Sequence, residues 1–314
     1  MHIIKRNGTA EPYDREKIAT AIRKSFVSTS HEIADDVLYE IVGEVEKLLN
    51  TDEQARSVER IQDEVERSLM GHGFYAEAKN YILYRWQRTE RRKMLGRMAE
   101  KIGDEGVEKV FRGIQSDYTG DEYDLSLLSD KFTGFCKPKM TSAERIAALT
   151  KAAVELTSQD APDWEFIAAR LLNYQLLKRI AAHEEEAGLH SFYDKLRYLT
   201  DKGLYGDYIL ASYTQEEINE AATYLRPERD LLFNYSGLDL LIKRYIIRTR
   251  QHEPVENVQE MYLGIALHLA MPEKKDRMAW VKRFYDMLST LEVTMATPTL
   301  SNARKPYHQL SSCF

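Results

Sequence analysis

The opening stretch of this chain constrains its fold most, because it predicts a β-hairpin followed directly by an amphipathic helix. His2 to Arg6 has the character of a short strand, and Thr9 to Tyr13 that of its return. Asn7-Gly8 between them suits a two-residue type I′ turn, in which both residues need a positive φ. Asp14 is then placed to cap a helix that begins at Arg15.

The helix predicted from Arg15 has one apolar face at helical spacing, made of Ile18, Ala21, Ile22, Ser25 and Phe26. Lys5, Arg6 and Lys17 are left near one another, beside the hairpin and the first turn of the helix. Cationic groups neutralise phosphate charge, and the free N–H groups of a helix start donate hydrogen bonds to it. This region therefore suits a triphosphate, with an ordinary hairpin and solvated rim charges as the alternative interpretation.

The residues of this stretch also resemble the opening of an ATP-cone, the regulatory nucleotide-binding module of ribonucleotide reductases. The resemblance is carried by Ile4-Lys5-Arg6-Asn7-Gly8 and then by Glu11-Pro12-Tyr13-Asp14-Arg15-Glu16-Lys17-Ile18. A later helix that Ser57 could cap, and the phrase Ala78-Lys79-Asn80-Tyr81-Ile82-Leu83-Tyr84-Arg85, resemble the back half of the same module.

The resemblance implies an effector site for ATP or dATP with magnesium. Lys5, Arg6 and Lys17 would contact the phosphates, Glu11 the polar edge of the nucleotide, and Tyr13 and Ile18 would wall the base or ribose. Two departures stand out: Asn7 replaces a frequent Asp, and Val58 replaces a frequent Thr, a role that Ser57 could take. A family lysine late in the fourth helix falls near Gln87 or Arg88, and the sequence does not decide between them.

Composition limits the class of protein. The chain has 314 residues, a length that suits two or three domains, and a net charge of −6. Its content of only 15 glycines and 8 prolines predicts a mainly α protein. The acidic balance gives no sign of a nucleic-acid surface. The two cysteines, Cys136 and Cys313, exclude a disulfide framework and a zinc ribbon, and no metal held by this chain is expected. With no signal-peptide pattern and no long apolar run, we expect a cytoplasmic protein that does not contact a membrane.

The periodicity predicts three regions. Residues 1–95 form the cone, a small β cap on four helices, and residues 96–220 form a linker with short helices and a degenerate cone-like helical part. Residues 221–314 form a helical domain that leads into the first strand of a truncated α/β barrel. An internal echo supports the second region, because Ser57-Val58-Glu59-Arg60-Ile61 is matched by Ser142-Ala143-Glu144-Arg145-Ile146. Chance similarity between two amphipathic helices is the alternative, and Cys136 lies in the predicted linker.

Hydroxyl and small polar residues concentrate at the end of the chain, as an anion-binding loop requires. Ala296-Thr297-Pro298-Thr299-Leu300-Ser301-Asn302-Ala303-Arg304 and Gln309-Leu310-Ser311-Ser312-Cys313-Phe314 resemble the loop and first barrel strand of the class I ribonucleotide reductase large subunit. The resemblance implies that Cys313 belongs to the redox-active cysteine pair, and that Thr297 and Ser312 hold the substrate diphosphate. We expect a fragment that binds nucleotide but cannot reduce it, because the family's thiyl cysteine, carboxylate base, second redox cysteine and specificity site have no counterpart here.

The resemblance implies partners as well: a radical-generating small (beta) subunit, homodimers and higher oligomers, and thioredoxin or glutaredoxin as reductant. ATP would favour an active assembly and dATP an inactive one. Two alternatives remain from other classes of protein. One is a nucleotide-sensing regulator, whose usual cysteine-rich zinc ribbon has no counterpart before Cys136; the other is a helical scaffold whose cone no longer binds.

Overall fold

The computed structural model describes residues 2–5, 9–27, 29, 31–51 and 56–312. The chain divides into two compact units, Met1–Leu95 and Gly96–Phe314. Within the described residues the strands are β1 (His2–Ile4) and β2 (Ala10–Pro12), and the helices are α1 (Arg15–Val27), α2 (Asp35–Thr51), α3 (Val58–Gly71), α4 (Tyr75–Ile102), α5 (Val107–Asp117), α6 (Leu125–Phe135), α7 (Ser142–Val154), α8 (Trp164–Ala187), α9 (Phe192–Asp201), α10 (Asp207–Ser212), α11 (Gln215–Ala222), α12 (Tyr235–Arg244), α13 (Val258–Ala270), α14 (Arg277–Ser289) and α15 (Thr297–Asn302).

The predicted hairpin is present, with shorter strands than the pattern suggested. β1 and β2 pair antiparallel with Ile3 opposite Glu11, and Lys5 N donates to Thr9 O at 2.8 Å beyond the last strand pair. The predicted turn at Asn7-Gly8 lies outside the described residues. The other edge of β1 is covered too, because Ile4 N donates to Arg56 O at 2.8 Å. The segment before α3 thus adds a contact that sequence reasoning did not predict.

The first unit buries the apolar faces of its helices around one core. As predicted, Ser57 caps α3, and its hydroxyl accepts from Arg60 N at 3.4 Å. The core residues of this unit are Ile3, Ile18, Ala19, Ile22, Phe26, Leu38, Ile41, Val42, Val45, Leu49, Ile61, Val65, Leu69, Ala78 and Tyr81.

The fourth helix is longer than predicted. The cone was predicted to close at residue 95, whereas α4 continues to Ile102 and is followed by Gly103, whose φ is +75°. Residues 88–102 are rich in Arg, Lys, Glu, Met and Leu, which have little or no helix penalty and offset the penalty of Gly96. Leu95, Met98 and Ile102 are buried, which adds packing to propensity.

The stretch after the cone was predicted as a linker with short helices, and it contains two of them. Two helices, α5 and α6, occupy much of it, and each has a fully buried apolar side, with Phe111 in one and Phe132 in the other. Trp164 Nε1 donates to Glu122 O at 2.9 Å, which ties the segment between the two helices to α8. The two short helices agree with the prediction, and their apolar spacing is sufficient for packing.

The echo between Ser57 and Ser142 does not place the two serines at equivalent helix positions. Ser57 is the N-cap of α3, but Thr141 is the N-cap of α7, in a capping box with Glu144. Ser142 is therefore the first helical residue, and its hydroxyl is buried without a hydrogen-bond partner. The cone-derived origin of α7 and α8 stays a prediction.

The second unit has a larger core, centred on α13, nearly all of whose residues are buried. Thr214 forms a capping box with Glu217 at the start of α11. The end of the chain differs from the predicted loop, because residues 297–302 form the short helix α15. Residues 303–312 contain no strand. A β-strand needs a neighbouring strand with which to form hydrogen bonds. The first barrel strand therefore stays a prediction.

Candidate functional site

Glu11 is at the centre of the predicted phosphate-binding residues of the first unit. Lys5 Nζ donates to Glu11 Oε1 at 2.5 Å, and Lys17 Nζ lies 3.8 Å from Glu11 Oε2. The pKa of the Glu11 carboxyl is lowered, chiefly by the hydrogen bond from Lys5 and further by the charge of the nearby Lys17. β2 supplies the carboxylate and α1 supplies Lys17, so the hairpin-to-helix connection brings the three side chains together. Arg6 lies outside the described residues.

Lys17 also lines an open cleft of about 430 Å³ between α1 and α4. The α1 side of the cleft presents polar positions one helical turn apart, among them Lys17, Thr20 and Lys24. The α4 side presents Tyr84 and Arg88, which are also one turn apart. Three cationic side chains from two helices therefore face one cleft, and Lys17 connects it to the Lys5–Glu11 pair.

Tyr84 gives the cleft an aromatic surface. Its side chain is 46% exposed, and the Arg88 guanidinium lies 5.6 Å from the centre of its ring. An exposed ring next to cations can accept a stacked base, while the cations take the phosphates. Two carboxylates line the cleft as well, but both have partners: Asp14 Oδ1 accepts from Glu16 N at 3.0 Å, and Glu16 Oε1 accepts from the Tyr39 hydroxyl at 3.0 Å.

The other predicted cone contacts are in less open surroundings. Tyr13 donates its hydroxyl to Glu46 Oε1 at 3.2 Å, and burial, followed by the Glu46 charge, raises its pKa. Ile18 is 9% exposed within the core, so it does not form an open wall in this structure. Ser57 uses its hydroxyl oxygen to cap α3, and Val58 is the half-buried first residue of that helix. Their roles toward a nucleotide stay predictions.

Sequence reasoning missed half of the cleft. Of the two late residues of α4 between which the sequence did not decide, Arg88 lines the cleft and Gln87 does not. Thr20, Lys24 and Tyr84 also line the cleft, and the sequence analysis did not predict them as site residues. The spacing of Lys17 and Lys24 on the polar face of α1 was a usable signal. Tyr84 offered no such signal, because only the packing of α4 against α1 shows which side of α4 faces the cleft.

The predicted substrate residues lie in the second unit. Thr297, the first residue of α15, is exposed, and its hydroxyl lies 3.1 Å from that of Tyr245. Ser312 is exposed near the end of the described chain, and Cys313 lies outside it. Asn302 Nδ2 donates to Gln309 O at 2.9 Å, which ties this last segment back to α15.

Cys136 is a half-buried free thiol immediately after α6, at an open cavity of about 540 Å³ that Lys101, Lys137 and Arg145 also line. In the part of the chain that the structure describes, no group of three or more His, Cys, Asp or Glu side chains is arranged to hold a metal ion. A search of the same residues finds no helix with the length and apolarity that a bilayer crossing needs.

Comparison with known proteins finds one family match near each end of the chain. Residues 1–90 match the ATP cone domain, and residues 231–308 match the all-alpha domain of ribonucleotide reductase. The ribonucleoside-diphosphate reductase subunit alpha of Treponema pallidum is 50% identical in an alignment that covers 100% of this chain and 38% of that protein. The subunit alpha of Chlamydia trachomatis is 30% identical, with 100% of this chain and 33% of that protein covered. Subunit alpha of the Escherichia coli ribonucleoside-diphosphate reductase 1 is 35% identical, and the alignment covers 52% of this chain and 22% of that protein.

The first unit is a hairpin-capped helical domain with a basic cleft and matches the ATP cone domain, and the second unit is all-α. Taken with the two family matches and the relative that is 50% identical over the whole chain, this organisation gives the family. The chain belongs to the ribonucleotide reductase large (alpha) subunit family. It spans about 38% of the length of its Treponema relative, and the cone match supports nucleotide effector binding in the first unit.

Proposed function

We propose that this chain serves as the N-terminal, effector-binding part of a ribonucleoside-diphosphate reductase large subunit, an enzyme that reduces nucleoside diphosphates for DNA synthesis. The observation that carries the proposal is the basic cleft of the first unit, where Lys17, Lys24 and Arg88 converge beside the Lys5–Glu11 pair. Such a cleft suits the triphosphate of ATP or dATP with bound magnesium.

Competition between Glu11 and a triphosphate for the same lysines gives a physical mechanism for nucleotide binding. Glu11 holds Lys5 and Lys17 near one another before any ligand arrives. A triphosphate, which carries more negative charge than a carboxylate, competes for the same two ammonium groups. The lysines are already near the phosphate position, so less side-chain entropy is lost on binding. Tyr84 would contact the base.

The proposal extends to the assembly. ATP in the cleft favours the active complex with the radical-generating small subunit, and dATP favours an inactive oligomer of large subunits. Thr297 and Ser312 hold the substrate diphosphate, and Cys313 is one of the redox cysteines that thioredoxin or glutaredoxin regenerates. The complex works in the cytoplasm. Support comes from the alpha-subunit relatives and from the resemblance of the last motif to that family.

The first test is titration calorimetry of this chain with ATP and with dATP, each with magnesium. Lys5→Ala and Lys17→Ala each remove one charge-assisted phosphate contact of roughly 1.5–3 kcal/mol, so each should weaken binding at least about tenfold. Lys79→Ala is the matched control, since it removes an exposed lysine of α4 that does not line the cleft.

Micromolar binding that Lys5→Ala and Lys17→Ala lose and Lys79→Ala keeps would support an effector site. Binding heat that is absent with both nucleotides would contradict the effector role and leave the family membership intact. Equal losses in all three variants would point to general electrostatic attraction and would also contradict this cleft.

A further inference from the structure

The hydroxyls of Thr297 and Tyr245 lie 3.1 Å apart, and the two side chains differ in their exposure to solvent. Thr297 is exposed at the start of α15, whereas Tyr245 is only 6% exposed. A threonine hydroxyl has one proton to donate and two lone pairs with which to accept. When the buried tyrosine donates to Thr297 Oγ1, the threonine proton is left for an anionic oxygen on the exposed side.

We propose that Tyr245 is a positioning residue that orients the Thr297 hydroxyl toward the diphosphate of a nucleoside diphosphate. This inference rests on the proposed function, which assigns Thr297 to the substrate. It adds Tyr245, a buried tyrosine, to the residues that the resemblance implied. The role of Tyr245 is to donate its own proton to Thr297, so that Thr297 can donate its proton to the ligand.

The backbone of Tyr245 is fixed by a second group, Arg304. This arginine is fully buried, and its Nε and Nη2 donate to the two carboxylate oxygens of Glu256 at 2.6 and 2.5 Å. Nη2 also donates to the carbonyl of Tyr245 at 2.8 Å, and Nη1 donates to the carbonyl of Leu300 at 2.8 Å. One guanidinium therefore joins the residue that orients Thr297 to the helix that begins at Thr297.

The buried ion pair makes this connection stiff. Glu256 is 2% exposed, and it also accepts from Ile247 N at 3.0 Å, so its carboxylate is held from the other side as well. Movement of Arg304 away from Glu256 would leave two charges apart in a region of low dielectric, which is strongly unfavourable. α15 is thus attached to Tyr245 at two points, by a hydroxyl contact at Thr297 and by the guanidinium at Leu300.

A double-mutant cycle with Tyr245→Phe and Thr297→Val tests the proposal. The probe is cytidine diphosphate with magnesium, measured by calorimetry on this chain in a Lys17→Ala background, so that the cone site contributes little. We expect each single variant to weaken binding roughly three- to tenfold, the effect of one hydrogen bond. The double variant should bind no more weakly than Thr297→Val alone, because the tyrosine acts through the threonine.

Tyr213→Phe is the matched control. Tyr213 is 4% exposed and donates its hydroxyl to Leu267 O at 2.7 Å, so its loss removes a buried hydrogen bond in the same unit without involving Thr297. Equal losses of thermal stability in Tyr213→Phe and Tyr245→Phe, with weaker cytidine diphosphate binding only in Tyr245→Phe, would support positioning over general stability.

Two results would overturn the inference in distinguishable ways. Cytidine diphosphate binding that falls in Thr297→Val but stays unchanged in Tyr245→Phe, or losses that add in the double variant, would remove the positioning role alone. A parent chain that binds ATP but shows no cytidine diphosphate binding would remove the diphosphate role of Thr297 together with this inference, while the effector role of the cone would stand.

Discussion

Asp230 is a buried carboxyl group, 7% exposed, whose hydrogen bonds come from two amides. Gln259 Nε2 donates to Oδ1 at 2.7 Å and Asn173 Nδ2 donates to Oδ2 at 2.9 Å. Burial raises the pKa of Asp230, and the two amide hydrogen bonds offset only part of the rise. Between the ordinary carboxyl pKa and this raised one, the folded state binds more protons than the unfolded state. The free energy of unfolding therefore falls as pH rises through that window.

Asp230→Asn should remove this fall and leave the protein as stable at pH 7, or more stable by up to about 1 kcal/mol, because a buried charge is lost. Once the Asn173 amide turns over, the new amide can donate to Asn173 Oδ1, so the contact between the two side chains is kept with its direction reversed. Urea unfolding between pH 4 and 8 measures the effect. An unchanged pH slope, or a loss above about 2 kcal/mol at pH 7, would contradict the assignment.

Asp286→Asn is the control of opposite sign. Burial raises the pKa of Asp286, but hydrogen bonds from Lys282 and Arg229 outweigh burial and lower it. A lowered folded pKa contributes stability that is present above the unfolded pKa and is lost as pH falls through the folded pKa. The asparagine variant should therefore lose stability at neutral pH and approach the parent protein in acid.

Glu256→Gln tests the buried ion pair. Removing one partner leaves Arg304 charged and uncompensated in the core, so the free energy of unfolding should fall by about 3–5 kcal/mol. Glu253→Gln is the nearby comparison, because the exposed Glu253–Arg179 pair is worth at most about 1 kcal/mol. Guanidinium unfolding of the two variants measures the difference. Similar losses in both would show that the Arg304 pair is as screened as a surface pair.

At the scale of elements, helix starts in this chain depend on single capping residues. Ser57→Ala should destabilise the first unit by about 1 kcal/mol, since the orphan N–H of Arg60 loses its acceptor. Ser142→Ala should cost little, because Thr141 caps α7 and the Ser142 hydroxyl is already unpartnered. Thermal unfolding of both variants and of Thr141→Ala measures this. Comparable losses for Ser57 and Ser142 would mean that the two serines do occupy equivalent positions.

At the scale of the whole molecule, the nucleotide response should be confined to the first unit. A ligand at 100 times its dissociation constant stabilises the state that binds it by about 2.7 kcal/mol. Amide exchange with ATP should therefore slow in α1 and α4 of the first unit, while α13 of the second unit keeps its rate. Hydrogen-exchange mass spectrometry with and without ATP and magnesium makes the comparison. Equal slowing in α13, or none in α1, would contradict binding at the cleft.

Much of the fold follows from neighbours in the sequence. The hairpin, the start of α1 at Arg15, the Ser57 cap and the Thr214 capping box each depend on residues a few positions apart, whose conformational preferences are local. The family motifs are local as well, and the two family matches confirm the class of protein. The short helices predicted in the linker are present as α5 and α6, whereas the packing of their apolar sides was not predicted.

What the sequence alone determined was therefore the kind of elements, their order and the family, since turn chemistry, helical spacing and motifs act over short distances. Only the tertiary structure decided which distant side chains meet. It placed Arg88 and Tyr84 at the cleft with Lys17, and it placed the Tyr245 hydroxyl against Thr297. The physical reason is that such pairs depend on how helix faces rotate and pack against one another, which the spacing within a single helix does not specify.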